Sequence, residues 1–185
     1  ATPTMAAEWK QLFNGKDLTG WKQVGPGHFE IENGMLKPIG GMGLLYYTGG
    51  KIRNSVIRVV FKVTQANDNA GMFIRIPVEP REEWMPVHYG YETQIYDAGD
   101  EHHCTGVLYS LTTAAARASK PTGEWNTMEI TLDGPHTVVV LNGTKVTDYT
   151  EGQPVPERTK DYQPQRGIRP NAGYIGLQNH PREAK

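Results

Sequence analysis

Short runs in which apolar and polar residues alternate, separated by turn residues, are the feature that most constrains the fold of this chain. The clearest run covers residues 56–63, where Ile57, Val59 and Phe61 would share one face of a β-strand. Similar runs recur roughly every 8–15 residues. Asn142-Gly143 lies between two of them and is the preferred dipeptide of a type I′ hairpin. Without any helical pattern of ordinary length, the sequence predicts an all-β, antiparallel two-sheet sandwich.

Composition narrows the class of protein. The 185 residues suffice for a single domain, residues 1–185, that buries roughly 70% of its unfolded surface. The net charge is −1 without a basic stripe, so nucleic acid is not an expected partner. No apolar run approaches the roughly 20 residues of a membrane span. Cys104 is the only cysteine and is expected to be a small buried thiol.

The first seven residues, Ala-Thr-Pro-Thr-Met-Ala-Ala, are small or apolar without a basic start. They resemble the new end that signal-peptide removal leaves. This pattern predicts a periplasmic or secreted protein.

The segment 91–97, Tyr-Glu-Thr-Gln-Ile-Tyr-Asp, is the most informative strand for function. Alternation places Glu92 and Gln94 on one face and Thr93 and Ile95 on the other. A carboxylate beside a carboxamide in mid-strand is costly unless that face lines a wet groove. One bulge after Gln94 would also bring Asp97 to the Glu92 face. The alternative interpretation is an ordinary solvent-exposed sheet face.

Other strands also carry polar residues at positions that would otherwise be apolar. These are Arg75, Gln178 and His180, and Tyr109 lies in a nearby extended segment. A curved sheet of a sandwich can form a groove with one face. We therefore expect these side chains to collect around Glu92.

Several motifs, in order along the chain, resemble the 3-keto-disaccharide hydrolase family. They lie at residues 12–21 (LFNGKDLTGW), 69–75 (NAGMFIR), 91–97 (YETQIYD), 105–109 (TGVLY), 123–126 (GEWN), 141–143 (LNG) and 176–180 (GLQNH). The resemblance implies a concanavalin A-like, jelly-roll sandwich of the lectin and glucanase type. Two departures are visible: the family usually continues after Gln-x-His into another strand, and its Gly-Asn-Ser-Gly is Asp-Asn-Ala-Gly at residues 68–71.

The resemblance also implies a reaction. Family members act on glycosides whose C3 hydroxyl has been oxidised to a ketone. The ketone acidifies the C2 proton, a base removes it, the C1–oxygen bond breaks by β-elimination, and water adds to the unsaturated sugar. This chemistry needs a base, an electrophile at the C3 oxygen and an acid for the leaving group.

The polar residues supply candidates for each catalytic role. Glu92 or His180 would remove the C2 proton. The other member of that pair, or Tyr109, would protonate the leaving oxygen. Arg75 and Gln94 would stabilise the enolate oxygen. The sequence does not separate base from acid.

Substrate contacts are predicted at four further positions. Gln178 and Asn126 would orient sugar hydroxyls, and Asp97 would line the same cleft. Trp84 lies in a proline-rich loop and could stack on a sugar ring, whereas Trp21 and Trp125 are expected to pack in the core. The expected ligand is therefore a carbohydrate.

A divalent metal cofactor, Ca²⁺ or a transition metal, is left open by the sequence. A bound cation would suit enolisation. Residues 100–103, Asp-Glu-His-His, form a local acidic and imidazole cluster, although adjacent side chains on an extended segment point apart. Asp68 is a candidate for a structural Ca²⁺ site.

Two rival functions fit the same fold. Glu92, Gln94 and Asp97 have the spacing of a retaining glycoside hydrolase, which needs two carboxyl groups about 5–5.5 Å apart. A carbohydrate-binding module would use Trp84 as its platform and need no catalytic acid.

Overall fold

The structure is a computed structural model that describes residues 8–181, and its secondary structure is nearly all strand. The strands are β1 Trp21–Val24, β2 His28–Glu32, β3 Met35–Ile39, β4 Gly43–Tyr47, β5 Ser55–Phe61, β6 Ala70–Ile76, β7 Tyr91–Ile95, β8 Asn126–Asp133, β9 His136–Leu141, β10 Thr144–Thr150 and β11 Tyr174–Asn179, and one short helix, α1 Met85–Tyr89, precedes β7. This confirms the all-β prediction. Among these residues, no helix has the length and apolar character needed to cross a membrane.

The strands form two antiparallel sheets and a separate hairpin. The five-stranded sheet has the order β1-β4-β11-β6-β7, and the four-stranded sheet has the order β10-β9-β8-β5. The hairpin pairs β2 with β3. Buried residues from both sheets form one apolar core. The predicted two-sheet sandwich is therefore confirmed.

Strand alternation decides which side chains enter this core. Tyr91 and Ile95 of β7 pack in it together with Met128 and Ile130 of β8. Glu92 and Gln94, which alternate with Tyr91 and Ile95, must then point to the opposite face of the five-stranded sheet. We call that face, which is turned away from the four-stranded sheet, the outer face. The expected buried thiol is also confirmed, since Cys104 is 2% exposed and lies in the core.

The hairpin turns follow the sequence prediction. Asn142 and Gly143 both have positive φ, at 50° and 83°. Asn33 and Gly34 join β2 to β3 in the same way, with φ of 52° and 77°. Positive φ at both central residues is the requirement of a type I′ turn.

A second apolar cluster covers part of the outer face. It contains Leu44, Tyr46, Phe73 and Ile76 from the sheet and Val87 from α1. The helix begins at the end of the proline-rich loop that carries Trp84, and it packs against β6 and β7. This cluster keeps one part of the outer face dry, next to the polar residues of β7.

Candidate active site

Glu92 lies across a gap that Gly71 leaves in the outer face. Gly71 is opposite Gln94 of β7 on one side and opposite Gln178 of β11 on the other. A methyl group placed on Gly71 would lie 2.7 Å from both Cγ and Oε1 of Glu92. The missing side chain therefore lets Glu92 lie over β6, between the two glutamines.

Both glutamine side chains donate a hydrogen bond to the Glu92 carboxyl group. In the amide orientation that its neighbours require, Gln94 Nε2 lies 2.9 Å from Glu92 Oε1 and 2.9 Å from the Ala70 carbonyl oxygen. Gln178 donates to Glu92 from its other side. Gln178 Oε1 has no hydrogen-bond partner within residues 8–181, although the residue is 2% exposed. This oxygen is a ready acceptor for a ligand hydroxyl.

Burial dominates the protonation of Glu92. The residue is 5% exposed, and removal of the carboxylate from water raises the pKa of Glu92 to about 8. The hydrogen bond from Gln178 lowers this pKa, but its effect is smaller than that of burial. Burial therefore favours the protonated form of Glu92, whereas the hydrogen bonds that Gln94 and Gln178 donate favour the carboxylate.

Tyr109 lies beside Glu92 on the edge of β7 that faces away from β6. The Tyr109 amide donates to the Glu92 carbonyl oxygen at 2.9 Å, and Leu108 bridges Thr93 next to it. Directly opposed residues share a face of a sheet. Tyr109 therefore flanks Glu92 on the outer face, and Phe73 flanks it on β6. The sequence expectation that Tyr109 lies near Glu92 is confirmed in placement.

His103 extends this group beyond Tyr109. The two rings have centroids 5.2 Å apart, and His103 Nδ1 lies 2.6 Å from Asp100 Oδ1. From the sequence, both residues were considered only as part of a possible metal-binding cluster and not as neighbours of Glu92. The Asp-x-x-His spacing at residues 100–103 was the available signal, but only the fold brings that loop to the edge of β7.

His180 follows the last residue of β11 and is partly exposed. Alternation places it on the same face as Gln178. Its Nδ1 lies 2.7 Å from the Pro181 carbonyl oxygen. A catalytic role for His180 stays a prediction.

The expected position of Arg75 beside Glu92 is wrong. The pairing of β6 with β11 steps from Phe73↔Gly176 to Ile76↔Tyr174, so a bulge forms, and Arg75 has a φ of 53°. The extra residue reverses the alternation and turns Arg75 away from the outer face.

The buried guanidinium of Arg75 instead joins the two sheets. It donates to Thr137 Oγ1 at 3.1 Å and to the carbonyl oxygens of Gly134, His136 and Pro170 at 2.9, 3.1 and 3.2 Å. These contacts indicate a structural residue rather than an electrophile for the substrate.

The predicted place of Asn126 is also wrong. It starts β8 in the other sheet and is fully buried. Its Oδ1 accepts from the Lys120 amide and from Asn142 Nδ2, each at 2.8 Å. Asn126 therefore holds the loop at Lys120 against the β9–β10 hairpin of the four-stranded sheet, which does not contain β7.

Asp97 does not join Glu92 through a bulge in β7. The register with β6 runs unbroken from Tyr91 to Ile95, and Asp97 follows in a turn. Its Oδ1 accepts from Thr105 Oγ1 and Ser119 Oγ, each at 2.6 Å. The carboxylate thus ties two loops together, which removes the second acid that a retaining hydrolase would need.

The tryptophans divide differently from the prediction. Trp21 packs against the core and Tyr47, as expected. Trp125 is 45% exposed and lies under Lys62, so its predicted core position is wrong. Trp84 is 38% exposed at the start of α1, which packs on the site-bearing strands. Its use as a sugar platform stays a prediction.

A metal site finds no support in the described side chains. Within residues 8–181, no three His, Cys, Asp or Glu side chains are grouped so that they could hold an ion. Oδ2 of Asp68 accepts from Thr64 and Gln65 and closes a turn. We therefore derive no catalytic step through a metal.

Comparison with known proteins identifies the family. The sequence profile of the 3-keto-alpha-glucoside-1,2-lyase-like domain matches residues 8–185. No curated protein sequence gives a significant match.

Solved structures share the fold. A candidate glycosyl hydrolase from Parabacteroides distasonis is 25% identical with a TM-score of 0.69, over 93% of this chain and 91% of its own. A second one from the same organism is 20% identical with a TM-score of 0.69, over 92% and 87%. The carbohydrate-binding module CBM66 of Bacillus subtilis is 10% identical with a TM-score of 0.56, over 86% of each chain. At 10% and 20% identity the likeness shows the fold alone.

Proposed function

The chain belongs to the 3-keto-alpha-glucoside-1,2-lyase-like family, and on that premise we propose that it cleaves glycosides whose C3 hydroxyl has been oxidised to a ketone. The observation that carries this proposal is the buried Glu92, which two carboxamides hold and which burial keeps protonated near pH 7. Such a group is suited to give a proton to an oxygen, as an elimination requires.

The proposed reaction is an elimination followed by hydration. A base removes the C2 proton, and the electrons of the C2–H bond pass through the enolate to form the C1=C2 double bond. The C1–oxygen bond breaks, its electron pair leaves with the oxygen, and that oxygen takes a proton. Water then adds at C1 and a proton returns to C2, which gives a free 3-keto sugar and an alcohol.

Glu92 acts as the acid in this scheme. Its pKa of about 8 makes the protonated form dominant at neutral pH while keeping the proton transferable. The same protonation prevents Glu92 from serving as the C2 base in the same molecule. A separate proton acceptor is required, and His180 is the candidate that the sequence alone suggests.

The neighbouring side chains bind and orient. Gln178 presents its unpaired Oε1 to a sugar hydroxyl, and Gln94 holds the Glu92 carboxyl group from the other side. Tyr109 and Phe73 form the walls of the site on either side of Glu92. This supports a carbohydrate ligand.

The periplasmic or secreted location stays a prediction, because residues 1–7 lie outside the described part of the chain.

The test compares a chromogenic 3-keto-glucoside with its unoxidised parent, for the wild type and for Glu92→Gln. Release from the keto sugar alone, lost in Glu92→Gln, is the expected result. Glu124→Gln, which changes an exposed glutamate, is the matched control and should keep full activity.

Three other outcomes are informative. Release from both sugars would favour an ordinary glycoside hydrolase. Sugar binding without release, by wild type and Glu92→Gln alike, would show a carbohydrate-binding module. Full activity of Glu92→Gln on the keto sugar would remove Glu92 from the mechanism.

A further inference from the structure

We propose that His103, oriented by Asp100, is the base that removes the C2 proton, an inference that rests on the elimination proposed above.

The contact between His103 and Asp100 leaves one ring nitrogen to act. Nδ1 lies 2.6 Å from Asp100 Oδ1, which accepts only, so Nδ1 carries the hydrogen. The lone pair is then on Nε2. An imidazole held by a carboxylate in this way is a base whose protonated form the carboxylate stabilises, as in catalytic triads.

The loop that carries the pair is tightly held. The His103 amide donates to the Asp100 carbonyl oxygen at 3.1 Å, and the His102 amide donates to Asp100 Oδ1 at 2.9 Å. The Ser110 amide donates to the His102 carbonyl oxygen at 3.0 Å. A Cβ on Gly99 would lie 2.3 Å from the His103 carbonyl oxygen, so this turn needs glycine. The imidazole is therefore fixed before a ligand binds.

Tyr109 connects this pair to Glu92. The His103 ring packs against the Tyr109 ring, and Tyr109 is opposed to Glu92 at the edge of β7. Tyr109 therefore contacts His103 through its ring and Glu92 through its backbone amide. A sugar ring over Tyr109 could offer its leaving oxygen to Glu92 and its C2 hydrogen to His103.

The contacts of His103 differ from those of His102 and His180. The side chains of His103 and His102 are both 32% exposed, but His103 has the shorter carboxylate contact, 2.6 Å to Asp100. His102 has its own contact, at 4.0 Å from Glu101 Oε1, and its ring centroid is 6.4 Å from that of His103. His180 contacts a carbonyl oxygen, which carries no full charge to stabilise an imidazolium.

In the proposed step Nε2 of His103 takes the C2 proton, and the electron pair of that bond becomes the enolate. The proton stays on His103 until hydration, when it returns to C2, while the water that adds its oxygen to C1 gives a proton to the Glu92 carboxylate. Asp100 remains ionised throughout and acts on the sugar only through His103, so it is a positioning residue.

The experiment separates the base from the acid by using a keto sugar without a leaving group, 1,5-anhydro-3-ketoglucitol. In D₂O the enzyme should exchange its C2 hydrogen for deuterium, which proton NMR follows as loss of that signal. The C4 hydrogen is also next to the ketone and serves as an internal control for spontaneous exchange.

The variants are His103→Gln, the matched control His102→Gln, and His180→Gln. We expect His103→Gln to lower the C2 exchange rate by ~10²–10⁴-fold, the usual contribution of a general base. His102→Gln should exchange at nearly the wild-type rate, and His180→Gln tests the rival candidate for the base. Glu92→Gln should keep C2 exchange while losing cleavage of the glycoside.

Two further readouts guard against a merely structural effect. Imidazole added to His103→Ala should restore part of the exchange. Asp100→Asn should slow exchange, and Asp100→Glu should recover part of the rate, since it restores the carboxylate.

The outcomes distinguish the two proposals. If the wild type neither exchanges C2 hydrogen nor cleaves keto-glycosides, the proposed function is wrong. If the wild type does both and folded His103→Gln still exchanges at the wild-type rate, only the assignment of His103 is overturned. Loss of exchange in His180→Gln instead would transfer the role to that histidine.

Discussion

The Glu92 side chain occupies the space above Gly71 in the outer face. Any other residue at position 71 would place its own side chain in that space. A Cβ on Gly71 would be 2.7 Å from Cγ and Oε1 of Glu92. Cγ is the inner part of the side chain, so the clash cannot be relieved by rotating the carboxyl group alone. The position of the proposed acid thus depends on a residue with no side chain.

Gly71→Ala should lower kcat/KM by ~10²-fold, because a displacement of about 1 Å is enough for such a loss. The measurement is turnover of a 3-keto-glucoside alongside the thermal unfolding midpoint. Gly41→Ala is the matched control, since a Cβ there meets nothing within 4 Å. Unchanged turnover in Gly71→Ala would show that Glu92 need not lie over β6.

The pH profile should report the ionisation of Glu92. An acid must be protonated to act, and burial raises the pKa of Glu92 to about 8. With a methyl 3-keto-glucoside, whose leaving group is poor, kcat/KM should fall about tenfold per pH unit above that value. A 4-nitrophenyl glycoside needs less help from an acid, so its profile should fall less. An increase through pH 8 with both substrates would instead assign Glu92 as a base.

Glu92→Gln should stabilise the protein at alkaline pH. The folded pKa of Glu92, about 8, exceeds that of an unfolded glutamate, about 4.3. The stability that protonated Glu92 contributes is present below the unfolded value and is lost as the pH rises through 8.

Glutamine does not ionise, so the difference in unfolding free energy should grow between pH 5 and 9, to on the order of a few kcal/mol. Urea unfolding at pH 5, 7 and 9 measures it. Glu124→Gln should show no such trend, and a constant difference for Glu92→Gln would contradict the raised pKa.

Arg75→Lys should destabilise the fold by ~2–4 kcal/mol. Lysine keeps the charge, but it cannot satisfy the hydroxyl and three carbonyl oxygens that Arg75 reaches from β6. Chemical denaturation gives the loss, and the folded fraction should retain wild-type turnover. A stable Arg75→Lys protein without activity would return Arg75 to a catalytic role.

The strands and the phase of β7 were predictable from local pattern. Alternation of Tyr91, Thr93 and Ile95 with Glu92 and Gln94 is a property of five consecutive residues. Packing of the first set in the core places the second set on the opposite face. The Asn142-Gly143 turn was predictable for the same reason, since its backbone angles depend on those residues.

The errors arose where one residue changed the phase or where partners came from distant parts of the chain. Extending the alternation of β6 to Arg75 failed because of a bulge set by pairing with β11. Asn126 carries a carboxamide, which is a group suited to bind sugar hydroxyls, but its partners are Lys120 and Asn142. No local pattern indicated that Asn126 would make these contacts in the four-stranded sheet.

The sequence by itself determined the all-β class, the turns, the family and the face on which Glu92 lies, because these depend on neighbouring residues and local periodicity. Only the tertiary structure decided which residues surround Glu92. Gly71, Gln178 and Tyr109 come from separate segments, and strand pairing places them beside it. The tertiary structure also decided the protonation of Glu92, since burial is a property of the assembled sheet and not of the single strand.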